Sequence, residues 1–132
     1  MDPTSINWLA VLSATVFTFL LGGVWYGPLF GKVWQRHMGL SDEALKSNVG
    51  RTFGLAFVFA LVSAVNLAFF LGPTATIGFG VGAGAATGIG FVATSLGVTY
   101  AFGRRPLPLA LIDAGYHAVA FSMMGALIGG WR

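Results

Sequence analysis

From Thr52 to Gly103 the chain reads TFGLAFVFALVSAVNLAFFLGPTATIGFGVGAGAATGIGFVATSLGVTYAFG, a run of 52 residues without one Asp, Glu, Lys or Arg. As a single α-helix this run would be roughly 78 Å long, more than twice the thickness of a bilayer's hydrocarbon core. It therefore predicts two spans and a turn between them. Gly72-Pro73-Thr74 supplies the turn, because proline disfavours helix in the residue before it and glycine ends helices readily. Outward from this stretch, residues 3–31 are again free of charge, and residues 106–131 carry only Asp113. Helices are expected at about 5–26, 51–72, 75–102 and 107–130. The fold class is all-α: one integral membrane bundle of four transmembrane helices occupying residues 1–132. Lipid offers no partner for backbone N–H and C=O groups, so such runs must be helical; the alternating polarity of a β-barrel is absent.

Composition agrees. Of the 132 residues, 56% are hydrophobic and 8% charged, against roughly 25% charged in an average soluble domain. A water-soluble chain this small could not leave its large surface so bare of charge. The net charge of +3 is spread over residues flanking the apolar runs, which argues against nucleic-acid binding. With no cysteine there is no disulfide, thiolate metal site or Cys nucleophile. The start, Met1-Asp2-Pro3-Thr4-Ser5, lacks the basic residues of a secretory signal, so the first apolar run is expected to be a retained helix.

Four spans put the 27–50 and 103–106 connectors on one side. That side holds Lys32, Arg36, Lys46, Arg104 and Arg105, with Arg51 at the adjoining helix start, and the other holds Arg132 alone. Basic connectors stay on the cytoplasmic side, so both termini are expected outside. Trp8, Trp25, Tyr26 and Trp131 fall near span ends, where aromatic belts form. Within the first connector Leu29, Phe30, Val33, Trp34, His37 and Met38 recur at helical spacing, with Lys32, Gln35 and Arg36 between them. This predicts a short amphipathic interfacial helix closed by Gly39, followed by a turn capped by Ser41.

Three stretches carry a family resemblance: Ile6-Asn7-Trp8-Leu9, the run from Gly23-Val24-Trp25-Tyr26-Gly27-Pro28-Leu29-Phe30 through Gly31-Lys32-Val33-Trp34, and Ile112-Asp113-Ala114-Gly115-Tyr116-His117. Together they resemble the small prokaryotic membrane proteins grouped as domain of unknown function 1761. The resemblance covers nearly the whole chain and is most specific at the tryptophan-tyrosine-glycine-proline stretch. It implies a four-helix protein of the prokaryotic cytoplasmic membrane, mostly bacterial, with no established activity and no functional residue to carry over.

Among polar residues, Asp113 and His117 stand out. Four residues apart on the last helix, they share a face, and at 1.5 Å per residue Asp113 lies about 9 Å in from Leu107. Ionisable groups at that depth are costly and point to a site, with the carboxylate orienting the imidazole as a proton relay or ligand site would need. The competing expectation is a structural lock, in which Arg51, Arg104 or Arg105 snorkels to Asp113 and His117 bonds to a neighbouring helix. Asn66 reads as interhelical glue. Tyr100 and Tyr116 fit either packing or a cavity wall. Two ligands do not make a metal site, and a triad of Ser122, His117 and Asp113 on one helix has no geometric support, so neither metal, cofactor nor catalytic activity is expected.

Glycines and alanines carry the packing signal. Gly80, Gly84 and Gly88 recur every four residues on the third span; Ala114, Ala118, Ser122, Ala126 and Gly130 do so on the fourth. Such ridges let backbones approach closely, within one chain or between copies, and a homo-oligomer is expected. Two functions stay open: a small oligomeric transporter or channel using Asp113 and His117, with its ion or small-molecule substrate unidentified, or a non-catalytic accessory protein binding lipid or a partner membrane protein.

Overall fold

The computed structural model describes residues 2–131, and every regular element within them is helical. Arg132, the one basic residue expected on the far side, lies outside the described residues. Four helices are long and apolar enough to cross a membrane: α1 (Trp8–Leu29), α4 (Val49–Leu71), α5 (Ile77–Phe102) and α6 (Leu107–Gly130). Between the first two lie α2 (Gly31–Met38) and α3 (Asp42–Lys46).

Helix starts follow from side-chain caps. Asn7 accepts from the Ala10 amide at 3.1 Å to open α1, and Thr76 accepts from Phe79 at 3.2 Å to open α5. Ahead of α1, the side-chain and backbone hydrogen bonds from Thr4 hold the Asp2 carboxyl below its ordinary value. Pro106 and Pro108 frame the start of α6, where the proline's missing N–H costs nothing.

Two spans change pitch. The last turn of α1, Trp25–Leu29, is a π-turn around Pro28, with the Phe30 amide reaching back five residues to the Trp25 carbonyl at 2.9 Å. Proline cannot donate, so the ladder widens rather than breaks. Gly31 then packs against the Tyr26 carbonyl, where a methyl group would overlap it, and the chain turns into α2. Gly39, at φ 71°, closes α2, and both its amide and that of Leu40 return to the Gln35 carbonyl. In α5 the π-turn runs Gly88–Ala93 and is flanked by Thr87 and Thr94, whose hydroxyls bond to carbonyls of their own helix.

Helix α6 buries the largest share of its length and α5 the smallest. One face of α6 receives α5 through glycines. A methyl on Gly80 would overlap the Gly125 carbonyl, one on Gly84 the Phe121 carbonyl, and one on Gly88 would sit 2.7 Å from the His117 carbonyl. Gly88 also lies against Ala118 and Gly84 against Ser122, whereas Gly125 and Gly129 complete the contact surface on α6. Gly130 meets Ile77. Another face of α6 meets α1 and α4 through Val11, Ala14, Ala64, Leu67, Met124 and Ile128. Edge-to-face rings join α1 to α4 at Trp8–Phe69, Phe19–Phe53 and Phe19–Phe57.

Candidate functional site: a carboxylate held by two tyrosines

Antiparallel succession brings the end of α1, the end of α5 and the start of α6 to one end of the bundle, beside α2. Asp113, in the second turn of α6, is buried at 8% exposure. Its Oδ1 accepts from the Tyr26 hydroxyl at 2.6 Å and its Oδ2 from the Tyr100 hydroxyl at 2.5 Å. Tyr26 comes from the π-turn of α1, and Tyr100 lies two residues before the end of α5. One carboxylate thus ties three spans together.

Aromatic rings enclose the cluster. Trp25 donates its indole N–H to the Ile112 carbonyl at 2.9 Å, directly beside Asp113. Its ring rests on Gly115, where a methyl group would stand 3.1 Å from the indole. Trp34 of α2 meets Tyr26 edge-on at 5.5 Å, so the interfacial helix forms one wall. Tyr116 stacks near Tyr26 at 5.4 Å and donates to the Thr18 carbonyl at 3.2 Å.

The expected Asp113–His117 bond is replaced. Both carboxylate oxygens are committed to phenols, and His117 turns instead between the rings of Tyr116 and Phe121. There it lines a cavity of about 210 Å³ between α1, α4 and α6. The arginine lock is not formed either: Arg51, Arg104 and Arg105 are exposed, and among the described residues no cation pairs with Asp113. Asn66 does not bridge helices in the chain. It is exposed and donates to the Val62 carbonyl of its own helix at 2.8 Å. Ala114 flanks Asp113 on α6, half-buried, and among the described residues no three His, Asp or Glu side chains gather as a metal site.

Trp25 and Tyr26 stand where the sequence predicts an aromatic belt, and Tyr100 fits packing or a cavity wall equally. Depth was the available signal. Tyr26 at the end of the first span, Tyr100 at the end of the third and Asp113 near the start of the fourth must share one level when spans alternate direction.

Fold and site together define a small polytopic helical membrane protein with a buried acidic centre. Over residues 9–129 the chain matches the model of a family described as "Protein of unknown function (DUF1761)", and it belongs to that family. No curated protein and no solved structure matches it.

Proposed function

We propose that this protein is a small membrane carrier or channel in which Asp113 takes up and releases a proton or cation. The observation that supports this reading is a buried carboxylate satisfied by two neutral phenols and lacking a fixed cation among the described residues. A charge in low dielectric without a counter-charge costs several kcal/mol, roughly, and a purely structural lock would be made more cheaply from neutral groups. A mobile positive partner offsets that cost. The basic connectors favour a cytoplasmic position for this centre, which lies one helical turn from His117 and the cavity.

The test is flux in proteoliposomes across a panel of ions and small metabolites, comparing wild type with Asp113→Asn and His117→Ala. Flux that Asp113→Asn abolishes supports the reading; a wild type without flux, or variants that conduct like it, would sink it.

A second reading, a non-catalytic accessory protein or homo-oligomer, draws on the surface of α5. Gly82, Gly90 and Gly97 have open space where a side chain would stand, on the span that buries least within the chain. Uncovered small residues favour close helix contact with another chain. Single-cysteine crosslinking at these positions in native membranes checks it, and a monomer at every position would remove it.

A further inference from the structure

The cavity beside His117 has polar groups that the rest of the chain leaves unused. Thr15, Thr87, Thr94 and Ser122 each turn their hydroxyl back onto a carbonyl of their own helix. Thr18 does not: at 3% exposure its Oγ1 is buried without a hydrogen-bond partner among the described residues. Ser63 and the His117 ring also make no hydrogen bond among those residues. These three side chains, from α1, α4 and α6, all line the same cavity. A buried hydroxyl left unpaired costs about 1–3 kcal/mol, and Thr18 is the group so placed, while Ser63 and His117 are half-buried and line the same space with donors and acceptors that no other described side chain uses.

The remaining lining selects the occupant. Ala60, Ala120, Phe121 and Met124 are apolar, and the volume of about 210 Å³ equals that of about seven waters. An apolar wall with a few convergent polar groups is the pattern of a small-molecule site. Its rim includes Ala56 and Phe59, both exposed on the bundle's side, Phe59 at 66%. The mouth therefore opens sideways, onto the surface that lipid covers. No Lys, Arg, Asp or Glu lines the space, so the occupant is neutral.

We infer that this cavity binds a neutral small amphiphile, an apolar body bearing one hydroxyl or carbonyl group, admitted laterally from the bilayer and held by Thr18, Ser63 and His117. Donors and acceptors are both present in the wall, which suits an alcohol, a phenol or a carbonyl compound. Charge transfer at Asp113 is not required for this binding.

The experiment uses the full chain in lipid nanodiscs and a diazirine-bearing alkylphenol as photolabel, with adducts mapped by peptide mass spectrometry. Adducts are expected within 56–63 of α4 and 116–124 of α6. Butylphenol, corrected for membrane partitioning, should displace the label about tenfold more effectively than butylbenzene, the factor that one or two hydrogen bonds supply in an apolar pocket. Thr18→Val with His117→Phe should bring that ratio close to one. Equal displacement by the two competitors means that a lipid chain fills the cavity, and overturns the proposal. So does a phenol preference that survives the double variant, or labelling spread evenly over the lipid-facing surface. Should the double variant not fold, the wild-type competition decides alone. A phenol preference in a protein without flux would sink the carrier reading and leave this site standing, while flux without phenol preference does the reverse.

Discussion

Two faces of α6 are built on opposite terms. Toward α5, backbone lies on backbone: Gly80, Gly84 and Gly88 leave no room for even a methyl group. Toward α1 and α4, side chains separate the helices, a cavity remains, and the side chains of Thr18, Ser63 and His117 make no hydrogen bond among the described residues. In lipid no hydrophobic effect drives helices together, so association rests on contact and on polar bonds. The first face spends its residues on contact alone and has one arrangement. The second keeps looser contact and chemistry, and there a ligand can be accommodated. At the Tyr26–Asp113–Tyr100 cluster α1 and α5, which lie on different faces, both hydrogen-bond the same residue of α6.

The largest effect is expected where the contact is tightest. Gly84→Leu would drive a side chain into the Phe121 carbonyl and is expected to cost about 3 kcal/mol or more, a large part of a marginal stability. Gly82→Leu, two residues away with open space around it, should stay within about 0.5 kcal/mol. Thermal unfolding of both variants in the same detergent checks the pair. Equal losses would mean that the α5 face is not set by close backbone contact.

At the carboxylate, Tyr26→Phe and Tyr100→Phe each remove one bond to a charged acceptor, worth about 1.5–3 kcal/mol. A double-mutant cycle of Tyr26→Phe with Asp113→Asn should return a coupling above about 0.5 kcal/mol. A cycle of Tyr26→Phe with Gly82→Ala should return none. If Tyr100→Phe alone matters, α1 is not part of the clamp, and the junction of the two faces reduces to a contact between α5 and α6. Trp25→Phe, which loses only the indole bond to Ile112, should cost about 1 kcal/mol in the same assay.

The spans, their number and the Gly-Pro turn were legible because absence of charge over 52 residues admits few arrangements. The observed ends moved by a few residues: α1 begins at Trp8 and runs through Pro28 to Leu29, and α5 begins at Ile77. Gly39 and Ser41 closed and opened the connector helices as their residue types require. The glycine series on the third span marked its packing face, because missing side chains carry information even where everything is apolar. Helix rotation was otherwise silent. When solvent is lipid, the outward face is as apolar as the core, and periodicity cannot separate them. Hence the partners of Asp113 differ from those the sequence predicts, and the π-turns at Trp25–Leu29, which carries Tyr26, and Gly88–Ala93 leave no pattern in the sequence.

Asn66 tests a third surface, the one that neither face of α6 uses. Its amide is exposed at span depth and is spent on Val62 of its own helix, so Asn66→Leu should change stability by no more than about 0.5 kcal/mol. Denaturation of the variant at two protein concentrations separates the outcomes. A small change independent of concentration leaves α4's outer side as plain lipid-facing surface. A loss above about 1 kcal/mol that grows on dilution would mean that Asn66 bonds across to another chain, as polar groups do between membrane helices. The contrast drawn between the faces of α6 would then extend to a third contact, made between chains and held, like Asp113, by a polar group rather than by glycine.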